Sequence, residues 1–290
     1  MGALIWLASY PKSGNTWMRA YLHNLLRNPP KPAPINELDQ FCLGESSSGW
    51  YVGLAGKPSI EMSNEEIMAL RPKVHERMTT AHPDSVFVKT HNFLGEWHDQ
   101  PLHNMNVTVA AIYIVRNPLD VVLSMTSHFG VSLQEAVDRL SRPDATTQNS
   151  EEHVPEYHSD WSTHVKSWTQ DHNPQLHVVR YEDLKNKPFK TFNGVAKFLG
   201  LNPPKDRVMK AIKFASFKEL KKQEDTLGFK ERSNHADSFF RKGESGGWRK
   251  ELTAEQIEQI CRDHTEQMAR FNYLPPEWKH LAKEQEKQTA

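Results

Sequence analysis

The sequence predicts a single three-layer α/β domain in which helices cover both faces of a central parallel sheet. Short apolar runs alternate along the chain with stretches of helical periodicity, which is the pattern of parallel strands joined by helices. The strongest run, residues 107–115, is apolar on both faces, as expected of a central parallel strand. No composition break divides residues 1–290, so we expect one domain with a tail, 277–290, that frays.

The first elements are a strand, a polar loop and a helix. Residues 3–8 form a short apolar run, and residues 9–15 contain the proline, glycine and asparagine of a loop. Apolar residues then recur at helical spacing until Pro29. Residues 28–62 are rich in proline, and we expect an ordered but irregular excursion there.

The later elements follow from periodicity, capping pairs and turn residues. Residues 141–156 and 223–247 are polar and rich in turn formers, so we expect surface loops, and Gly200 suits the residue after a helix. The remaining predicted elements are, in order, a helix capped by Ser63 and Glu66, a strand over 86–88, the strand over 107–115 with a helix after it, a helix capped by Ser132 and Glu135, a strand over 176–179, and an amphipathic helix over 253–271.

Composition and charge exclude several classes of protein. Lysine plus arginine and aspartate plus glutamate number 36 each, and this balance argues against general nucleic-acid binding. No segment resembles a membrane span, a secretory signal or a lipidation site. Cys42 and Cys261 lack the spacing of a disulfide framework or a zinc site. We therefore predict a cytoplasmic protein that binds neither nucleic acid nor membrane.

The loop between the first strand and helix has the chemistry of an anion site. Backbone N–H groups and the positive helix N-terminus converge there, and Gly14 permits close approach. Lys12 adds a cation, while Ser13 and Thr16 add hydroxyl donors. An ordinary turn with a solvated lysine is the alternative. The Walker A loop of P-loop nucleotide triphosphatases needs its lysine directly after a second glycine, and this order is absent here.

The same segment, Y-P-K-S-G-N-T-W over residues 10–17, resembles the 5′-phosphosulfate loop of sulfotransferases that use 3′-phosphoadenosine 5′-phosphosulfate (PAPS), whose pattern is Y-P-K-S-G-T-T-W. The resemblance continues in order along almost the whole chain, in K-T-H at 89–91, V-R-N-P at 115–118, R-Y-E-D-L at 180–184, Ser216-Phe217, and F-F-R-K-G at 239–243 with Trp248. It implies a P-loop-like fold, and the P-K-x-G-N-T-W form is similar to that of bacterial relatives. Asn15, Gly247 and the pair Arg249-Lys250 depart from the family pattern.

The resemblance implies PAPS as co-substrate and assigns its binding residues. The phosphosulfate would lie on the first loop, the 3′-phosphate near Arg116, and the adenine near Tyr181. The full set of expected PAPS-binding residues is Lys12, Ser13, Gly14, Asn15, Thr16, Trp17, Arg116, Ser124, Tyr181, Ser216, Phe217, Arg241, Lys242 and Gly243. For Arg241 and Lys242, a solvated basic turn is the alternative.

The resemblance also implies the catalytic groups. His91 would act as general base, Lys12 would stabilise the departing phosphate, and Ser124 would hold Lys12 in check before the acceptor arrives. Lys89 would lie near the same oxygens. Sulfuryl transfer develops less charge than phosphoryl transfer, so we expect no metal cofactor. His153, His158 and His164 show no metal-site pattern.

The acceptor is expected to be a small molecule with a phenol or alcohol hydroxyl. Its site would come from loops 41–56, 92–104, 141–156 and 225–240, whose aromatic residues suit an apolar or aromatic alcohol. These aromatic residues are Phe41, Trp50, Tyr51, Phe93, Trp97, Phe229 and Phe239, and local packing under the long loops is an equal alternative for each. Lys250, Thr253 and Glu258 resemble a dimerisation segment of the family, although Ala254 replaces its valine, so a homodimer is a further hypothesis.

Two alternatives stay open from the sequence. A P-loop kinase using ATP and Mg²⁺ shares the architecture, but the position of the lysine disfavours it. A catalytically silent nucleotide-binding protein of the same fold would tolerate Gly247, whereas the joint presence of Lys12, His91 and Ser124 argues for an active enzyme.

Overall fold

A five-stranded parallel sheet forms the centre of the computed structural model, which describes residues 2–241 and 243–289. The described strands are β1 (Ala3–Ser9), β2 (Cys42–Gly44), β3 (Ser85–Thr90), β4 (Glu96–Trp97), β5 (Gln100–Pro101), β6 (Thr108–Val115) and β7 (Leu176–Arg180). Five of them pair in the order β2-β3-β1-β6-β7, and β4 and β5 form a separate antiparallel pair. The predicted parallel sheet is therefore confirmed.

Helices cover both faces of this sheet, as the sequence predicts. The described α-helices are α1 (Asn15–Arg27), α2 (Leu38–Phe41), α3 (Ser48–Ala55), α4 (Asn64–Met78), α5 (Pro118–Phe129), α6 (Leu133–Leu140), α7 (Trp161–Thr169), α8 (Tyr181–Asn186), α9 (Pro188–Phe198), α10 (Lys205–Phe214), α11 (Phe217–Leu227), α12 (Trp248–Glu251), α13 (Ala254–Asp263), α14 (Thr265–Arg270) and α15 (His280–Thr289). The predicted fraying of 277–290 stays a prediction.

Two hydrophobic cores lie on opposite faces of the sheet. Because side chains alternate along a strand, β1 supplies Leu4 and Trp6 to one core, and Ile5 and Leu7 to the other. We call these the first core and the second core, respectively. Both cores include residues of β1, β3 and β6, so the interior strands join the two halves of the fold.

Local signals in the sequence explain most of the helix ends. Ser63 and Ser132 each accept a hydrogen bond from the backbone of the third helical residue, and the glutamate at that position bonds back, so both predicted capping boxes form. Thr253 forms a third with Gln256. Gly200 follows α9 with a φ of 73°, as predicted for that position.

Two expectations about secondary structure are wrong. Residues 28–62 are more regular than expected, because they contain α3 and also β2, which extends the sheet by pairing with β3. The predicted helix over 253–271 is broken at His264, whose backbone φ is −122°. The ring of His264 is hydrogen-bonded to Ser162 at 2.9 Å, so a contact distant in sequence accompanies this break.

The cysteines are separate and buried. Cys42 belongs to the second core and Cys261 to the first, and both are free thiols. Burial raises the pKa of each to about 12. None of the helices in the described part of the chain combines the length and the apolar run that a membrane span requires.

Candidate active site

A cavity of about 1050 Å³ lies at the carboxyl ends of the interior strands. Lys12 follows β1, Lys89 and His91 lie at the end of β3, and Arg116 follows β6, and all four line the cavity. Ligands of open parallel sheets bind at this edge. The topology therefore brings together residues that are far apart in the sequence.

The loop between β1 and α1 presents unpaired donors to this cavity. Gly14 occupies the N-cap of α1 with a φ of 104°, and no side chain caps the helix there. Ser13 is fully buried, and its hydroxyl has no hydrogen-bond partner among the described residues. A Cβ at Gly14 would lie 2.7 Å from the ring of Tyr181, so the close approach requires glycine. Free amides at a positive helix terminus suit an anionic group.

Lys12 extends from this loop in a left-handed conformation, with a φ of 65°. Its Nζ lies 4.1 Å from the centre of the Phe239 ring. Burial, with the positive charges of Arg116 and Lys89, lowers the pKa of Lys12 to about 8. An anionic ligand would stabilise the protonated form of Lys12, because it would offset the repulsion between neighbouring cations.

The position of His91 fixes its tautomer. Its Nδ1 lies 2.7 Å from the carbonyl oxygen of Ser9, which can only accept, so Nδ1 carries the hydrogen and Nε2 keeps its lone pair. Burial, followed by the charge of Lys89, lowers the pKa of His91 to about 3. The imidazole is therefore neutral near pH 7, the state that a proton acceptor needs.

Arg116 connects the loop between β1 and α1 to the segment that contains Glu244. Its guanidinium donates to the carbonyl of Lys12 at 2.8 Å, to that of Glu244 at 3.3 Å and to Ser124 Oγ at 3.3 Å. It also lies 4.4 Å from the centre of the Tyr181 ring. Within the described residues, Ser124 Oγ bonds to Arg116 and not to Lys12, so its expected contact with Lys12 stays a prediction.

Most of the residues predicted to bind PAPS line the cavity. Ser216 is an exception, since its side chain caps α11 by accepting from the amide of Glu219 and does not line the cavity. Ser13 lies beneath the loop, and Lys242 lies outside the described residues. The predicted residues that line the cavity are Lys12, Gly14, Asn15, Thr16, Trp17, Arg116, Ser124, Tyr181, Phe217, Arg241 and Gly243.

The lining groups outside the predicted set include Lys185, Asp120 and Arg19. Lys185 donates to the carbonyl of Gly243 at 2.7 Å, and Asp120 accepts from the amide of Gly246 at 2.8 Å. The buried Arg19 makes a bidentate ion pair with Glu231, at 2.8 and 2.5 Å. Asp120 lies in the strand–helix segment that resembles the family's 3′-phosphate motif, whereas no sequence pattern pairs Arg19 with a residue so distant.

Most of the aromatic residues named for the acceptor site pack locally, which was the alternative for each of them. Of the seven aromatic residues, only Trp50 and Phe239 line the cavity, and loop 92–104 contributes none of the described lining. Phe93 and Trp97 pack in a separate cluster, and Tyr51 donates to the buried Glu45. Phe41 stacks on His23, and Phe229 packs against Phe239. Polar side chains of residues 46–47 and 147–158 line much of this end instead.

A buried polar network supports the segment that carries His91. Asn92 donates to Glu45 at 2.8 Å and accepts from the amide of Tyr157 at 2.7 Å. Glu45 also receives Arg71 and Tyr51, and all of these side chains are buried. Burial opposes ionisation, but Arg71 outweighs it and lowers the pKa of Glu45 to about 2. The chain after β3 is therefore fixed from two sides.

The family model and the similar known proteins all point to one family. The family model described as "Sulfotransferase domain" matches residues 4–272. Bovine sulfotransferase 1E1 is 26% identical, with 90% of this chain and 82% of that protein covered. Flavonol 3-sulfotransferase from Flaveria bidentis is 25% identical, with 88% and 78% covered.

Solved structures share the fold. Mouse sulfotransferase SULT7A1 complexed with PAP aligns with a TM-score of 0.61 at 20% identity, over 98% of this chain and 89% of that one. Retinol dehydratase in complex with androsterone and inactive cofactor PAP aligns with a TM-score of 0.62 at 19% identity, over 91% and 80%. At these identities the likeness concerns the fold.

Proposed function

This chain belongs to the sulfotransferase family, and we propose that it moves the sulfuryl group of PAPS to the hydroxyl of a small-molecule acceptor, with His91 as general base. The observation that carries the proposal is that His91 and Lys12 follow the neighbouring strands β3 and β1 and line one cavity. His91 is neutral, and the hydrogen bond from its Nδ1 fixes its tautomer. The family match supports the reaction, and the geometry supports the residues.

The residues present fit a donor with two separated anionic groups. The uncapped start of α1 would bind the phosphosulfate, and Ser13 stays a further proposed contact. Arg116, with Ser124, Arg241 and Gly243, would bind the 3′-phosphate, since a guanidinium can donate to two phosphate oxygens. The remaining proposed PAPS contacts are Asn15, Thr16, Trp17, Tyr181, Phe217, Ser216 and Lys242.

The chemistry of this chain's residues then follows. His91 Nε2 accepts the proton of the acceptor hydroxyl while that oxygen forms a bond to sulfur. The bond between sulfur and the 5′-phosphate oxygen breaks, and its electron pair leaves with the phosphate. Lys12, assisted by Lys89, stabilises the charge on that phosphate. Dimerisation through Lys250, Thr253 and Glu258 and a cytoplasmic location stay predictions.

The test is transfer of labelled sulfate from PAPS to a panel of phenols, alcohols, amino alcohols and sugars. We expect transfer by the wild-type protein and tight binding of 3′-phosphoadenosine 5′-phosphate (PAP). His91→Ala should lower turnover at least about 100-fold and leave PAP affinity within about twofold, because general bases contribute about that much. His172→Ala changes an exposed histidine and serves as the matched control.

Two outcomes would contradict the proposal. Wild-type turnover by His91→Ala would remove the base assignment. Failure of PAP to bind, together with magnesium-dependent turnover of ATP, would favour a kinase instead.

A further inference from the structure

Glu156 is a buried carboxylate that faces the acceptor end of the cavity. Its side chain is 12% exposed and lines the cavity wall. One carboxylate oxygen accepts from Ser46 at 2.9 Å, and the other lies 3.7 Å from Nε2 of His158, which is beyond hydrogen-bond distance. Half of this carboxylate therefore lacks a close donor.

This carboxylate is ionised. Burial opposes ionisation, but a polar contact with His158, together with the positive charge of Lys89, outweighs it and holds the pKa of Glu156 well below its usual range. Burial lowers the pKa of His158, so its neutral ring contacts Glu156 but is not a paired cation. A cationic ligand group would add the close ion pair that this carboxylate lacks.

Comparable carboxylates elsewhere in this fold have an arginine. Glu45 is paired with Arg71, and Glu231 is paired with Arg19. For Glu156, none of the described lysine or arginine side chains lies within ion-pair distance. The difference is its location, since Glu156 faces the open cavity.

His158, on the other side of this 3.7 Å separation, also has an unpaired polar atom. The residue is 1% exposed and lines the same cavity, yet its Nε2 has no hydrogen-bond partner among the described residues. Orphaned polar atoms in a buried ring are uncommon in folded proteins unless water or a ligand bonds to them. The Glu156 carboxylate and the His158 ring therefore lie side by side without a hydrogen bond between them.

We propose that the acceptor is an alcohol or phenol that also carries a protonated amine, and that Glu156 binds the ammonium group. This inference rests on the proposed sulfotransferase function, because it assigns the molecule whose hydroxyl reaches His91. The ammonium supplies the cation that Glu156 lacks, and His158 Nε2 offers one further hydrogen bond. Glu156 and His91 line the same cavity, so the amine and the hydroxyl can belong to one small molecule.

The experiment compares tyramine with 4-propylphenol, which replaces the ammonium by a methyl group and keeps the phenol. Binding of each to the protein–PAP complex is measured by calorimetry, and sulfate transfer from PAPS is measured in parallel. We expect tyramine to bind at least about tenfold more tightly, a typical effect of one desolvated charge pair. Glu156→Gln should remove that preference and leave 4-propylphenol unchanged. Glu151→Gln, at an exposed glutamate outside the cavity, should behave as wild type.

Equal binding of the two phenols by the wild type, or an unchanged preference in Glu156→Gln, would overturn the inference. The wild-type comparison decides the matter alone if the variant does not fold. These failures are distinguishable from failure of the proposed function, because PAP binding and transfer to 4-propylphenol would persist. Loss of PAP binding by the wild type would instead remove the sulfotransferase assignment itself.

Discussion

At the scale of single residues, the cavity holds basic groups whose protonation is opposed by their surroundings. Lys12 and His91 are both shifted towards their neutral forms, with pKa values of about 8 and about 3. Burial is the largest cause for each, and the charge of Lys89 contributes to both. An anionic ligand would reverse part of this effect, because it stabilises each protonated form.

Lys12 should therefore take up a proton when PAP binds. Free Lys12 loses its proton as the pH rises through about 8, and the bound anion raises that pKa. Uptake should approach one proton at about pH 9, be small below about pH 7, and be accompanied by weaker PAP binding as the pH rises. Calorimetry in buffers of different ionisation enthalpy measures the uptake.

Lys12→Met is the control for the proton uptake that accompanies PAP binding. It should bind PAP more weakly and lose the proton uptake at about pH 9. The same uptake in wild type and Lys12→Met would show that another group titrates.

At the scale of elements, two glycines differ in what they do for their loops. Gly14, at the N-cap of α1, has a φ of 104° and lies against Tyr181, whereas Gly247, at the N-cap of α12, has a φ of −60°. Gly14→Ala should destabilise the fold by about 1–2 kcal/mol and weaken PAP binding at least about tenfold. Thermal unfolding and PAP titration measure the two effects.

Gly247→Ala is the matched comparison. Its nearest neighbour would lie 3.7 Å from the new Cβ, which is ordinary contact. Stability should rise by up to about 1 kcal/mol, because alanine restricts the unfolded chain. A loss of PAP affinity in Gly247→Ala as large as in Gly14→Ala would contradict this distinction.

The side chain of Asn92 holds the segment after β3 in place through two buried hydrogen bonds. Asn92→Ala removes the hydrogen bond to Oε2 of Glu45 and leaves the Tyr157 amide without its partner in a buried region. We expect a loss of about 2–4 kcal/mol in the free energy of unfolding, measured in urea. Turnover should fall more than PAP affinity, because His91 is the preceding residue.

Asn173→Ala is the control for Asn92→Ala. Its side chain is exposed and accepts one hydrogen bond, from the amide of Gln175. The expected change in stability is less than about 1 kcal/mol. Similar losses in both variants would mean that the buried network contributes little.

The limits of sequence reasoning are visible at this scale. The capping boxes at Ser63 and Ser132 could be predicted because their partners lie three residues away. Strand β2 could not, because its three residues carry no periodicity, and its pairing with β3 is a property of the assembled sheet. Glu156 was missed as a cavity-lining carboxylate for the same reason, since burial and distance from His158 appear only after folding.

At the scale of the whole molecule, the sheet joins the two cores. The interior strands give side chains alternately to the first core and the second core, so neither core persists without the sheet. The fold class and the positions of β1, β3, β6 and β7 could be predicted because they depend on adjacent residues. The aromatic acceptor site could not, because which side chains reach the cavity depends on the packing of residues 141–158.

We propose that residues 1–290 fold as one domain, and urea unfolding tests it. Tryptophan fluorescence and far-ultraviolet circular dichroism should report one coincident transition. PAP at about 100 times its dissociation constant should stabilise the fold by about 2.7 kcal/mol. Two separated transitions, with only one shifted by PAP, would indicate two domains.

The two thiols provide natural chemical reporters of these cores. Each lies in a different core, fully buried and protonated at neutral pH, so an alkylating reagent can react with it only after that core opens. Mass spectrometry would assign each label to Cys42 or Cys261. Equal labelling rates would mean that both faces of the sheet open in one event, and unequal rates would reveal which face opens first, with no introduced probe.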